Sequence, residues 1–196
     1  MSAETSGELA GYECLVCVTG GIAAYKTATL VSRLVQAGCG VTVAMTRSAR
    51  RFVGPVTFEA LSGRAVLTSL WRGRGAMPHL DPTEAADLAI VAPATANILG
   101  KLANGIADEI VSALLIAIDC PLMIAPAMNR RMWNHPAVQR NLARLREDGC
   151  LIVGPESGWQ ACRDTGPGRM SEPETLFESA RQLLLRSPPR SRSRDA

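Results

Sequence analysis

The sequence predicts an α/β fold, a Rossmann-like three-layer α/β/α domain on a parallel sheet. Three observations carry that expectation. Short apolar runs bounded by turn residues alternate with segments of helical periodicity. The runs are apolar at successive positions, not at every second one, as in strands covered on both faces. The polar residues least suited to packing fall just after these runs, where open parallel sheets bind their ligands.

Cys14 to Thr19 is the first strand, and Ile22 to Ala37 carries Ala23, Leu30, Val31, Leu34 and Val35 at helical spacing. Gly38 and Gly40 close that helix, and Val41 to Met45 returns as a second buried strand. Asp87 to Ala92 is the next strand, followed by one helical stretch through Lys101 and another from Asp108 to Ile118. Leu122 to Ala125 and Leu151 to Val153 supply two more strands, with Pro136 to Asp148 as the helix between them. Residues 1–10 read as a flexible start, 11–186 as one domain, and 187–196 as a disordered Arg/Ser tail.

A chain of 196 residues with 47% hydrophobic content buries one substantial core and is too short for two comfortable domains. No run approaches the roughly 20 apolar residues of a membrane span, and the polar start Met1-Ser-Ala-Glu-Thr-Ser-Gly-Glu8 lacks the basic opening of a signal peptide. A soluble, cytoplasmic protein is expected, with no membrane partner. Five of the six cysteines, Cys14, Cys17, Cys39, Cys120 and Cys150, lie in or beside apolar runs, which favours reduced thiols over a disulfide framework. Cys14 and Cys17 mimic a redox motif, but three residues apart on a strand they face opposite ways. Two histidines far apart and no paired cysteine ligands give no metal site. The net charge of +3 owes much to the tail, which lacks aromatic partners and argues for no nucleic acid; anionic small molecules remain compatible.

The unusual residues cluster after the strands. Gly20 and Gly21 open the first helix and allow backbone amides to approach an anion, although a tight turn would use them equally well. Thr46, Arg47 and Ser48, then Thr95, Ala96 and Asn97, add donors at neighbouring strand ends, enough for one phosphate rather than two. Lys26, one turn into the helix, could reach a phosphate or simply be solvated. Pro126-Ala-Met-Asn-Arg-Arg-Met-Trp133 places Asn129 among Met128, Met132 and Trp133, an amide that must find partners as a helix cap, a ligand reader or both. Gln160-Ala-Cys-Arg-Asp-Thr-Gly-Pro-Gly-Arg-Met170 sets the lone thiol Cys162 beside Arg163 and Asp164, in a bendable segment suited to a lid.

These segments, with Cys17-Val-Thr-Gly-Gly-Ile-Ala-Ala-Tyr-Lys26, Met77-Pro-His79, Ala92-Pro-Ala-Thr-Ala-Asn97 and Glu172-Pro173, resemble the phosphopantothenoylcysteine decarboxylases, coenzyme A pathway members of the homo-oligomeric flavin-containing cysteine decarboxylase family. The resemblance implies a Rossmann-like flavoprotein that binds FMN through Gly20, Gly21, Ile22, Thr46, Arg47, Ser48, Thr95, Ala96, Asn97, Ile98 and Ala127. Ile98 stands where family members often carry Thr, which removes one minor contact.

The implied chemistry begins from an N-acyl cysteine carboxylate, whose alpha carbon has no acceptor for the electrons left by decarboxylation. Oxidising the CH2-S group to a thioaldehyde places a C=S bond beta to the carboxylate, so carbon dioxide can leave to give an enethiolate. Restoring a proton and a hydride yields phosphopantetheine, and the net reaction is redox-neutral. His79, in a loop between prolines, is assigned to proton transfer during thiol oxidation. Cys162, protonated at neutral pH, is the acid of the reductive half. Asn129 would hold the substrate carboxylate or amide, with Met128, Ala161, Arg163 and Asp164 as further substrate contacts. Where the family carries Gly, this chain has Arg163, which would strain a positive-φ position or meet the substrate phosphate.

The rivals are a peptidyl-cysteine decarboxylase, which does not need the acid Cys162, a flavin prenyltransferase, and a non-catalytic flavin-binding regulatory subunit, disfavoured by His79, Asn129 and Cys162 together. The family assembles as homotrimers, sometimes as homododecamers, with flavin at the subunit interfaces. The Arg/Ser tail directly follows the domain, so the ligase that makes phosphopantothenoylcysteine is expected on a separate polypeptide.

Overall fold

A computed structural model describes residues 7–71, 80–161 and 163–190. The elements run β1 (Glu13–Val18), α1 (Ala24–Gln36), β2 (Gly40–Met45), a 3-10 turn (Ala49–Arg51), α2 (Pro55–Ser62), α3 (Leu80–Ala85), β3 (Leu88–Ala94), α4 (Ala96–Ala103), α5 (Ile110–Ala117), β4 (Leu122–Pro126), α6 (Arg130–Trp133), α7 (Pro136–Glu147), β5 (Leu151–Ile152), β6 (Glu156–Trp159), β7 (Thr165–Arg169) and α8 (Pro173–Leu184). The first five strands form a parallel sheet in the order β2-β1-β3-β4-β5, the flavodoxin-like doubly wound arrangement. The expected three-layer α/β/α architecture is therefore present.

Successive residues of one strand enter different cores, which is why the strands read as unbroken apolar runs. Cys14, Val16 and Val18 of β1 pack on the α1, α2 and α8 side, with Leu30, Leu34, Phe58 and Leu176. Leu15 and Cys17 pack on the α4, α5 and α7 side, with Leu99, Leu114 and Leu142. Cys14 and Cys17 thus face opposite ways, as the strand period requires. Each such fully buried aliphatic side chain contributes about 1.5–3 kcal/mol relative to exposure. A carboxylate at Ile90, fully buried in the central strand, would have to be neutralised or would unfold the sheet.

Packing extends past the expected domain boundaries. Leu9 is fully buried and its N–H donates to the Ala37 carbonyl at 2.9 Å, so the ordered chain begins before residue 11. At the other end, Tyr12 Oη donates to the Ser187 carbonyl at 2.7 Å, and Arg190 pairs with Asp119 at 2.5 Å. Residues 187–190 are therefore fastened to the body and not part of a loose tail. A second difference is the segment after β5, read from sequence as a loop, which forms the antiparallel hairpin β6–β7.

β1 and β3 are neighbours, yet α1 covers one face of the sheet and α4 the other. That reversal opens a crevice above the carboxyl ends of these two strands. Thr19 and Thr95 flank it, the Thr19 hydroxyl donating to the Pro93 carbonyl at 2.6 Å and lying 3.3 Å from the Thr95 hydroxyl.

Candidate functional site

The crevice is a cleft of about 1100 Å³. From β1 it receives Gly20, Gly21 and Ile22, from β2 Thr46, Arg47 and Ser48, from β3 Thr95, Ala96, Asn97 and Ile98, and from β4 Ala127, Met128 and Asn129. Every residue expected to hold the cofactor lines it.

One end of the cleft is built for an anion. α4 begins at Ala96, its first intrahelical bond runs from the Leu99 N–H to the Thr95 carbonyl at 3.1 Å, and no side chain caps it. The N–H groups of Ala96, Asn97 and Ile98 therefore have no intrahelical acceptor, and the positive end of the helix faces the cleft. α1 likewise starts without a side-chain cap. Gly20 is required by the protein itself: a Cβ there would stand 2.4 Å from Ser48 Cβ. Gly21 is different, because a Cβ would meet only Pro93 Cγ at 3.7 Å and Thr95 Cγ2 at 3.8 Å. The fold does not need a glycine at that point, but a ligand drawn close to the backbone would. Beside this cradle lies an apolar shelf of Ile22, Ile98, Met128, Met132 and Trp159, fit for a planar ring system. Residues and space thus suit a flavin mononucleotide, one phosphate at the helix start and the ring on the shelf.

The two segments that stood out in the sequence meet here. The Met128 N–H donates to the Gly168 carbonyl at 2.9 Å, and the Arg130 N–H to Gln160 Oε1 at 3.2 Å. Gln160 in turn gives its amide to the Pro167 carbonyl at 2.9 Å, locking the hairpin across itself. Gly168 has φ 128°, and a Cβ there would lie 2.1 Å from the Met128 carbonyl oxygen, so only glycine permits the approach. Asn129 is the N-cap of α6, its Oδ1 accepting from the Met132 N–H at 2.9 Å. The cap orients the side chain at the cleft and leaves its NH2 for other partners. His135 caps α7 through Nδ1 at 3.2 Å from the Ala137 N–H, a local structural role.

Ala161 lines the cleft, whereas Arg163 and Asp164 do not. Asp164 instead pairs with Arg130 Nε at 3.3 Å and accepts from the Thr165 N–H at 2.8 Å, bracing the hairpin on α6. Arg163 has φ 64°, alone among the described non-glycine residues in being positive. His79 and Cys162 lie outside the described residues.

Several lining residues were not assigned to the site from the sequence. Lys26 is 9% exposed, and its ammonium lies 2.8 Å from Glu172. Lys101 faces the cleft from α4, held by Asp108 at 2.7 Å, and Glu109 caps α5 beside it. Burial pushes the Glu109 carboxyl above its usual range, against the pull of Lys101. For Lys26 a signal existed, one helical turn past the glycine pair, but its partner stands 146 residues away in the chain. Among the described residues no cluster of three His, Cys, Asp or Glu could hold a metal, and no helix is long and apolar enough to cross a membrane.

Comparison with known proteins adds the following. The family model described as Flavoprotein matches residues 2–185. The coenzyme A biosynthesis bifunctional protein CoaBC of Bacillus subtilis (strain 168) is 51% identical over 168 residues, covering 85% of this chain and 41% of that protein. The chain thus spans less than half the length of this relative. Among solved structures, the FMN-dependent cysteine decarboxylase SpaF is 35% identical with a TM-score of 0.79, covering 91% of this chain and 98% of that one. A cysteine-to-serine mutant of a PPC decarboxylase, complexed with pantothenoylaminoethenethiol, is 29% identical with a TM-score of 0.79, covering 90% of this chain and 99% of that one.

Proposed function

The chain belongs to the flavoprotein family, and from that premise we propose that it is an FMN-dependent carboxy-lyase converting phosphopantothenoylcysteine to phosphopantetheine in coenzyme A biosynthesis. The observation that carries this reading is the single cleft in which an uncapped helix start, an apolar shelf, Asn129 and the hairpin residues Gln160 and Ala161 converge. When bound, FMN would take a hydride from the CH2-S group of the substrate and return it after carbon dioxide has left.

The protein's own groups do the rest. The N–H groups of Ala96, Asn97 and Ile98, with Gly20, Gly21 and Ser48, would hold the cofactor phosphate, while Ile22, Thr46, Arg47, Thr95 and Ala127, which line the same cleft, would border the rest of it. Asn129 offers its free NH2 to the substrate carboxylate or amide, and Met128 and Ala161 bound the space in which it lies. His79 takes the thiol proton and Cys162 delivers a proton to the enethiolate carbon, which together with the returned hydride would give the saturated product. Arg163 is exposed at the turn outside the cleft lining, from where its long side chain would reach a substrate phosphate projecting from the cleft, and Asp164 fixes the turn on Arg130.

We place the working site in a homotrimer or homododecamer. Ile22 and Tyr25, each 60% exposed, and Trp159, 64% exposed, rim the cleft, and such apolar rims are normally covered by a partner. A cytoplasmic location accords with Cys14, Cys17, Cys39, Cys120 and Cys150 all being free thiols.

The test is carbon dioxide release from phosphopantothenoylcysteine by flavin-stripped protein before and after reloading with FMN. Release only after reloading supports the reading. No release from protein that has regained its flavin absorbance contradicts it.

A further inference from the structure

Glu172 joins three elements at the wall of the cleft. Its Oε1 accepts from Lys26 Nζ on α1 at 2.8 Å and from the Arg169 guanidinium at the end of β7. Its backbone N–H donates to Glu156 Oε1 at the start of β6, at 3.3 Å, and Glu172 is itself the N-cap residue of α8. Lys26, Arg169 and Glu172 all line the cleft.

The two cations differ in what they need. Arg169 and Glu172 have side chains 41% exposed, so water can solvate either one alone. Lys26 has a side chain only 11% exposed, and its other neighbour within hydrogen-bonding reach is the neutral Met170 carbonyl at 3.5 Å. With so little water around it, this ammonium is held in place by the Glu172 carboxylate. Lys26 first, then Arg169, hold the Glu172 carboxyl below its usual range, so the anion is present throughout neutral pH.

We infer that Glu172 is a positioning residue: its carboxylate sets where the Lys26 ammonium stands in the cleft and, through Arg169 and its backbone bond to Glu156, holds the β6–β7 hairpin over the same space. The hairpin sets Gln160 and Ala161 on the cleft wall, so Glu172 couples the first turn of α1 to the residues that precede, in the chain, the thiol assigned to the reductive half. The kinetic part of this inference rests on the decarboxylase reading. The structural part does not.

The test uses FMN-loaded, full-length wild type, Glu172→Gln and Glu172→Asp. The chain contains two lysines, Lys26 and Lys101, so acetylation by acetic anhydride, followed by peptide mass spectrometry, reads Lys26 against an internal reference. Glu172→Gln keeps the size and an acceptor but removes the charge. It is expected to raise the Lys26-to-Lys101 labelling ratio about tenfold, a factor that corresponds to roughly 1.4 kcal/mol of lost protection, and Glu172→Asp, with its shorter side chain, to give a ratio clearly between those of wild type and Glu172→Gln. In turnover, Glu172→Gln should still release carbon dioxide but accumulate the enethiol at the expense of the reduced product, a partition that a general loss of stability would not produce. An unchanged labelling ratio, or labelling that rises equally at both lysines, overturns the inference. If the wild type releases no carbon dioxide the decarboxylase reading fails, and the labelling ratio still decides the role of Glu172. Should Glu172→Gln not fold, Glu172→Asp must show an intermediate ratio, and a wild-type ratio there overturns the inference.

Discussion

The Arg163 N–H donates to the Gln160 carbonyl at 2.8 Å, and the Gln160 N–H donates to the Asp164 carbonyl at 2.8 Å. Together these bonds close a three-residue hairpin loop whose last position is left-handed, at φ 64°. This turn favours glycine there, because a Cβ in the left-handed region costs about 1–2 kcal/mol. Arg163→Gly should therefore stabilise the protein by about 1 kcal/mol after the entropy of glycine is set against the relief, raising the melting midpoint by roughly 2–4 °C. A thermal melt reads this. A lower midpoint would mean that the arginine side chain holds the turn through contacts worth more than its backbone costs.

Gly20 and Gly21 separate what the fold needs from what a ligand needs. Gly20→Ala puts a methyl 2.4 Å from Ser48 Cβ, and should lower stability by about 1–3 kcal/mol as well as flavin content. Gly21→Ala meets nothing closer than 3.7 Å, so it should fold with a melting midpoint within a few degrees of wild type. It should nevertheless bind FMN at least about tenfold more weakly, measured by flavin fluorescence titration. Full FMN affinity in Gly21→Ala would place the phosphate elsewhere.

The buried thiols set a limit on the alkaline side. Burial pushes Cys120 up to about 11 and Cys17 higher still, and Cys14 is raised by its hydrogen bond with Cys39 and by burial. The unfolded chain loses these protons near pH 9 whereas the folded one keeps them, so the unfolded state binds fewer protons above that pH. Stability is then fully present below pH 9 and falls as the pH rises from about 9 to about 11, by up to about 1.4 kcal/mol per pH unit per thiol. Denaturant melts at pH 8 and pH 10 check this, with Cys120→Ala expected to flatten part of the slope.

Burial determined how much was legible in the sequence. The parallel sheet was readable because residues such as Leu88, Ala89, Ile90 and Val91 are all fully buried, which leaves an unbroken apolar run. The cleft-lining residues expected to hold the cofactor stand where those runs end. The β6–β7 hairpin left no such trace, since it docks through the Gly168 carbonyl and the Gln160 side chain and not through an apolar stripe. α2 buries only Phe58 over eight residues, too little to set a period, although Pro55 at its start and left-handed Gly63 at its end do mark its limits. Ion pairs were the least legible. Lys26 with Glu172 and Arg130 with Asp164 join positions distant in the chain, so charge alone could not show that Asp164 braces the hairpin instead of lining the cleft.

The most direct measurement is mass spectrometry of the product formed by FMN-loaded protein from phosphopantothenoylcysteine, with no added reductant or oxidant. Phosphopantetheine is expected in amounts equal to the carbon dioxide released, because the reaction is redox-neutral. An enethiol as the sole product, or intact substrate in the presence of bound flavin, would contradict it.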